Sequence, residues 1–459
     1  MASKSKRART APIRDLSKRF KYWAIAVFIV KLLIIFNIQG GNIEILGRLF
    51  LLDGIWLGAD GENYLAGYEA LMREGIFSKE TILNFWPAGY PLVILFISLL
   101  GKSWALTSLA IIQSLIFSFA CYFLASQLSK TRLKKFSYLA LVIIILNPTL
   151  SLSSIAIGYE SLTASGFLII LSLIIKDTID KNDKKFIQYL VITSIIFGLL
   201  TFMQPRLIVS GILINLFWIF IKKGIKASSL FVITSLLITL LFPATLIYRN
   251  NRAIGTNSIS TNLGITMNIG AGDNASGGYM KEGYGVPCEL SGTPSEQDNQ
   301  RVRCVLDWYV SNPTKAVKLF YHKTLYFWSP WFGPVANGTM ARNPWLTISP
   351  IKNISSTQEG FNLVYGNFGK LVSWSWLLSG LGLLIYGYLI LWRQNSLERF
   401  IANIALVAIS TNWLISLISI GDHRFRIPIM GVSLFLQSIG LKTLLKGGKS
   451  QMVDGPTLR

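Results

Sequence analysis

Apolar and polar residues follow one another along this chain in long blocks, not at the short periods of a soluble helix or strand. Crossing a hydrocarbon layer of about 30 Å takes roughly 17–25 apolar residues. Ten runs meet or approach that length: 22–39, 105–127, 136–157, 161–175, 186–203, 207–221, 227–247, 371–391, 400–420 and 427–445. A further run, 87–100, starts at Pro87 and would extend only about 21 Å at 1.5 Å per residue. It predicts a re-entrant or interfacial helix. The pattern therefore predicts an all-α polytopic membrane protein with about ten transmembrane helices.

Composition agrees: 52% of the 459 residues are hydrophobic and only 14% charged. A net charge of +22 could point to nucleic acid, but its distribution gives a simpler reading. With ten spans, the basic N-terminal tail 1–21, the short basic loops 128–135, 176–185, 222–226 and 392–399, and the tail 446–459 share one side. The other side is close to charge balance. Positive-inside bias accounts for this asymmetry and makes both termini cytoplasmic, so no nucleic-acid partner is expected. The first apolar run is of spanning length and no A-x-A cleavage site follows it, so it reads as a retained span.

The predicted organisation is a tail (1–21), a transmembrane module (22–247) that includes an outer loop 40–104 of amphipathic helices, and a large outer segment (248–370). C-terminal spans (371–445) and a second tail (446–459) complete it. Within the large segment, 305–328 is aromatic-rich and reads as an interfacial helix, and Trp308, Trp328 and Trp331 suit an interface belt. Cys121 lies in an apolar run, where a buried, inert thiol is expected. Cys288 and Cys304 both fall outside, where a disulfide and two free thiols are equally open. Asn274-Ala-Ser, Asn337-Gly-Thr and Asn353-Ile-Ser are read as chance matches to a glycosylation triplet.

The expected outer face gathers the unusual ionisable residues. Asp60 and Glu62 lie in the first loop, Glu160 in the turn 158–160, and Arg206 after Gln204-Pro205. Arg249 and Arg252 follow the seventh span, and the last turn reads Gly-Asp-His-Arg-Phe-Arg-Ile-Pro from Gly421 to Pro428. A carboxylate beside a membrane span is costly unless it occupies a wet, polar site. Carboxylates facing arginines suit displacement of a phosphate leaving group: a carboxylate deprotonates the acceptor, and guanidinium groups hold phosphate in planar, bidentate bonds. His322 and His423 are the only histidines, too few convergent ligands for a zinc site, and no metal ligand is assigned.

These residues resemble the GT-C superfamily of polyprenyl-phosphate-dependent glycosyltransferases, in particular relatives of bacterial protein O-mannosyltransferase and of the lipid A aminoarabinose transferase. Asp60, Tyr64 and Gly75 resemble its D-x-x-x-Y loop, and Phe85-Trp-Pro-Ala-Gly-Tyr-Pro91 its P-P-G-Y-P segment. Asn147-Pro148 with Glu160, Gln204-Pro205-Arg206, Ser260-Thr261 to Gly278, and Arg424-Phe-Arg-Ile-Pro428 resemble further motifs in the same order. Gly61 separates Asp60 from Glu62 where relatives have adjacent Asp-Glu, which leaves the role of Glu62 and of any divalent cation open.

The resemblance implies an inverting transfer from a polyprenyl-phosphate-linked sugar to an unknown envelope acceptor (glycolipid, glycan or protein). Asp60 and Glu160 would be catalytic, and Glu62, Tyr64, Tyr90, Arg206, Arg249, Arg424 and Arg426 would bind substrate. The location would be a bacterial cytoplasmic membrane, with the active site on the periplasmic face and membrane lipid around the spans. Two alternatives compete with this reading. A glycan polymerase or ligase need not carry an Asp-centred first loop. A flippase or transporter should show repeats and charges near the midplane, where Lys31 is the lone candidate.

Overall fold

The computed structural model describes residues 16–58, 60–180, 182–278, 285–328, 357, 367–394 and 396–445. Trp331, the triplets at Asn337 and Asn353, the first fifteen residues and the tail 446–459 lie outside them. The first helix, α1 (Leu16–Asn37), starts ahead of the expected boundary, so Lys18, Arg19 and Lys21 ride on its first turns.

The first loop then forms a hairpin of β1 (Asn42–Ile45) and β2 (Arg48–Leu51), with Asn42 opposite Leu51 and Ile45 opposite Arg48. Leu46 and Gly47 turn it with φ of 51° and 77°, the positive angles a two-residue hairpin needs. This hairpin departs from the loop of amphipathic helices read from the sequence. Its strands are four residues each, and a Leu-Gly turn lacks the usual Asn-Gly or Asp-Gly signal.

Three short helices follow: α2 (Gly61–Glu74), α3 (Ile82–Phe85) and α4 (Gly89–Ser98). At about 15 Å, α4 is the short helix expected over 87–100. The bundle continues with α5 (Ala105–Ser129), α6 (Lys134–Leu146), α7 (Pro148–Ser153), α8 (Glu160–Asp180), α9 (Asp183–Met203), α10 (Leu207–Lys223) and α11 (Ser229–Ile254).

Among the described residues, eight helices combine the length and hydropathy of a membrane span. Two of the ten expected runs fall short. One is α10, with 17 residues. The other, 136–157, is not one helix. Pro148 has no N–H and pushes the residue before it out of helical geometry, so α6 ends and α7 restarts on Asn147, whose side chain accepts from Leu150 N at 3.0 Å.

The large segment contains α12 (Leu263–Ile269), α13 (Pro294–Ser311) and α14 (Pro313–Trp328). Thr293 and Glu296 form a capping box at the start of α13. Asp298, buried on α13, accepts from Gly264 N at 2.7 Å and so closes the N-terminus of α12. Cys288 and Cys304 are disulfide-bonded, with Cα atoms 6.0 Å apart, which settles the choice left open by the sequence. The last described elements are α15 (Asn367–Trp392), α16 (Ser396–Ile418) and α17 (Ile427–Leu445).

Helices α8 and α17 pack against each other at the centre, with α5, α9 and α15 around them. Lipid tails are as apolar as leucine, so span contacts depend on close packing and on polar bonds. A Cβ on Gly387 would lie 2.0 Å from the Leu436 carbonyl oxygen, and one on Gly440 would lie 2.4 Å from that of Leu383. Backbone therefore meets backbone where α15 crosses α17. Ser210 and Thr411 hydroxyls meet at 2.7 Å between α10 and α16. Asn215 Nδ2 donates to Ser194 and Ser235 at 3.2 and 3.0 Å, joining α10 to α9 and α11. On the rim, Tyr22, Val30, Leu33 and Phe36 of α1 and Leu230, Leu237 and Leu241 of α11 are exposed, as lipid-facing side chains should be.

The chain has three cysteines. Denatured without reductant, it is expected to take up a maleimide at Cys121 alone; after reduction, labelling should reach all three thiols by intact mass.

Candidate functional site

The candidate residues sit where helices begin. Asp60 precedes α2, Glu160 opens α8, Arg206 precedes α10, and Asp422 to Arg426 precede α17 in a short 3-10 turn (His423–Arg426). Helix N-termini carry partial positive charge and unpaired N–H groups.

The first loop reaches α8 through the backbone. Trp56 N donates to the Ile155 carbonyl at 3.0 Å, and Ile157 N donates to the Trp56 carbonyl at 2.8 Å. The approach is tight enough that a Cβ on Gly58 would stand 2.1 Å from the Ile157 oxygen. Beneath it, Tyr90 Oη accepts from Gly158 N at 2.8 Å and donates to Gln113 Oε1 at 3.3 Å. Gln113 Nε2 in turn donates to the Ala156 carbonyl at 3.0 Å. The turn that carries Glu160 is thereby fixed from both sides.

At the centre, the Arg424 guanidinium donates Nη1 to Asp60 Oδ2 and Nε to Glu160 Oε1. Asp60 and Arg424 are each 6% exposed, so these charges have little water to share. Asp60 makes no cap bond to α2, which removes helix capping as the reason for its presence. The guanidinium carbon stands 5.3 Å from the Tyr159 ring centroid. Tyr64 meets Tyr90 and Tyr159 edge to face at 4.9 and 6.2 Å, and Trp86 at 6.4 Å. Burial raises the Tyr64 and Tyr159 phenols above their usual range, so both stay protonated and able to donate. Gln204 Nε2 donates to Tyr159 Oη at 2.6 Å.

Arg206 stacks on Phe425 at 3.5 Å, within the field of Tyr159, Arg424, Glu160 and Asp422. Burial lowers its guanidinium from the usual range, and its buried Nε and Nη2 have no hydrogen-bond partner among the described residues. Idle buried donors of this kind call for an explanation, and an incoming anion provides one. Asp422 Oδ1 accepts from Arg424 N at 2.8 Å, while burial pushes its carboxyl up to about 6.

Four of the expected residues stand apart from the Asp60–Arg424–Glu160 contact. Glu62 is exposed on the first turn of α2. Tyr90 lies beneath the cluster, supporting the turn. Arg426 donates to the Trp328 carbonyl at 2.8 Å, beside a cleft of about 50 Å³ lined by Asn147, Trp376, Leu377 and Met430. Arg249 is spent on structure. Its Nε donates to the Ile76 carbonyl at 3.0 Å, and its Nη1 to the Leu83 carbonyl and to Asn84 Oδ1 at 3.2 and 2.8 Å. Its Nη2 reaches the Ser78 carbonyl. Among the described residues, no three His, Cys, Asp or Glu converge as a metal site.

Sequence reasoning passed over Tyr159, Gln113 and Lys323. Lys323 lies on the face of α14 shared by Ala316, Leu319 and Phe327. Its Nζ donates to Tyr309 Oη at 2.7 Å, to the Leu417 carbonyl at 2.9 Å and to the Ser419 carbonyl at 2.5 Å, closing the end of α16 with a cation as its dipole favours. Burial lowers this amine to about 7. A lysine in register with an apolar stripe, like a glutamine inside a span, is a signal that can be read.

Arg249→Met should lower stability by about 2–4 kcal/mol, from the carbonyls it strands, read as a fall in the detergent melting midpoint. Asp422 titrates near 6 in the fold against 3.8 as its ordinary value. Its folded pKa is raised, so its contribution favours the fold below pH 4 and is lost as pH rises to about 6. Asp422→Asn should flatten the melting midpoint across that window.

No protein-family model matches the chain, and no curated protein matches it. Among solved structures, the archaeal oligosaccharyltransferase AglB from Archaeoglobus fulgidus, in complex with an inhibitory peptide and a dolichol-phosphate, is 14% identical. That match covers 96% of this chain and 53% of the other, with a TM-score of 0.43. The Archaeoglobus fulgidus oligosaccharyltransferase tethered by a disulfide to an acceptor peptide with the NVT sequon is likewise 14% identical, covering 93% and 50%, with a TM-score of 0.43. The chain spans about half the length of these structures.

Proposed function

We propose that this chain is an inverting membrane glycosyltransferase. It moves a sugar from a polyprenyl monophosphate to an envelope acceptor on the outer face of a bacterial cytoplasmic membrane, with both termini cytoplasmic. The observation that carries the reading is the Asp60–Arg424–Glu160 cluster, assembled from three distant parts of the chain, with the idle donors of Arg206 beside it.

The chemistry follows from the charges. With no substrate bound, Arg424 holds both carboxylates. The donor's phosphate draws on Arg424 and Arg206, and that competition loosens Asp60 enough to act as a base. Asp60 takes the proton of the acceptor hydroxyl, whose oxygen forms a bond to the anomeric carbon. The bond from that carbon to the phosphate oxygen breaks, its electron pair goes to the phosphate, and attack from the opposite side inverts the centre. Glu160 keeps Arg424 oriented and balances its charge after Asp60 is protonated. The phenols of Tyr64 and Tyr159 face the same cluster as donors to the sugar or the phosphate.

Purified protein in proteoliposomes, given a panel of polyprenyl-phosphate sugars and envelope extract, should release free polyprenyl phosphate detectable by mass spectrometry. Asp60→Asn should slow that release about 10²–10⁴-fold, as expected for loss of a general base, with the melting midpoint retained. Equal release from both proteins would remove Asp60 from the chemistry. Movement of labelled lipid between leaflets with no release would replace the enzyme by a flippase.

A further inference from the structure

Lys31 lies within α1, the first span, and is 3% exposed. An ionisable side chain inside a span is disfavoured unless partners meet it, and such residues are a functional signal. Lys31 Nζ donates to the Ser151 carbonyl and, at 2.7 Å, to Ser154 Oγ, and it lies 4.9 Å from the Phe117 ring centroid. Its acceptors are neutral oxygens, so ion pairing does not explain it. Their place in the fold does.

Ser151 belongs to the last turn of α7, and its carbonyl accepts from Ser154 Oγ at 2.8 Å as well as from Lys31, at a helix end that favours positive charge. Ser154 is the residue that ends α7, and its hydroxyl also meets Ser114 Oγ of α5 at 3.2 Å. From there the chain runs directly through Ile155, which pairs with Trp56, to Gly158 and Glu160. Gln113 and Tyr90 hold this turn at Ala156 and Gly158, and Gln204 and Arg424 hold it at Tyr159 and Glu160. Lys31 is its support from α1. Its own helix leads into the loop that brings Asp60, so one amine ties together the two segments that deliver the carboxylates.

From this juxtaposition we infer that Lys31 is a positioning residue for the transfer reaction, holding the end of α7 so that the turn 155–160 presents Glu160 to Arg424. The inference rests on the glycosyl-transfer reading, but its structural half can be measured without it. An apolar side chain at this position would suit the span better and leave the end of α7 without its cation. The restraint on the turn would go, while the packing of α1 against α5 through its other residues would persist.

The test uses full-length Lys31→Met, Lys31→Arg and Ser154→Ala proteins in detergent, with hydrogen–deuterium exchange and donor kinetics. In Lys31→Met, exchange in the peptide covering 154–160 should rise about tenfold, with peptides of α8 and α5 unchanged. The rate constant kcat should fall roughly 10²-fold, as expected for a misplacement of about 1 Å, at unchanged donor KM. Lys31→Arg should recover most of both. Wild-type exchange in that peptide, or a kcat loss that Lys31→Arg does not recover, would overturn the inference. If Lys31→Met does not fold, Ser154→Ala decides, since it removes one of the two acceptors and should show the same local exchange at smaller amplitude. If the wild type transfers no sugar from any donor, the functional reading fails, and the exchange data alone decide whether Lys31 holds the turn.

Discussion

One guanidinium, that of Arg424, holds the candidate site of this molecule together. It stands between Asp60 and Glu160 in a site where all three charges are largely withdrawn from water. Removing Arg424 would leave two uncompensated buried carboxylates, whose cost exceeds that of never having built the pair. Much of the surrounding architecture serves to make that geometry obligatory. Trp56 pairs with the strand-like residues before Glu160, Tyr90 and Gln113 hold the same turn from below, and Lys323 closes the helix from which the Arg424 turn departs.

The balance of charge around Arg424 is uneven. Two carboxylates over-neutralise one arginine, but Arg206 stands alongside with unused donors, and four helix N-termini point their positive ends at the same region. Under the proposed function, a phosphate entering there would meet cations whose present partners are carboxylates.

What the sequence could show depended on the range of each interaction. Spans are set by runs of apolar residues against a fixed bilayer thickness, so α9, α15 and α17 were legible almost to their ends. The break at Asn147–Pro148 was visible as a motif but was smoothed over when counted as part of one run. The hairpin at 42–51 had too few residues and the wrong turn pair to stand out. In the site, Asp60, Glu160 and Arg424 could be named because charge beside membrane spans is unusual and because their motifs resemble those of the GT-C superfamily. Their mutual contact could not, since it joins positions hundreds of residues apart. Arg249 looked like the other arginines in one dimension. Only the fold reveals that the carbonyls of the 76–84 loop had already claimed it.

The location of Arg424 along the chain has a bearing on biogenesis. Asp60 and Glu160 are translated early, whereas their shared counter-charge sits just ahead of α17. A chain made from its N-terminus therefore carries two unneutralised acids through most of its insertion, and they must stay hydrated at the membrane surface until α17 arrives. Helix α17 therefore does more than add packing: its arrival brings the counter-charge and encloses the two acids. Chains stalled before α17 would keep that region wet and open.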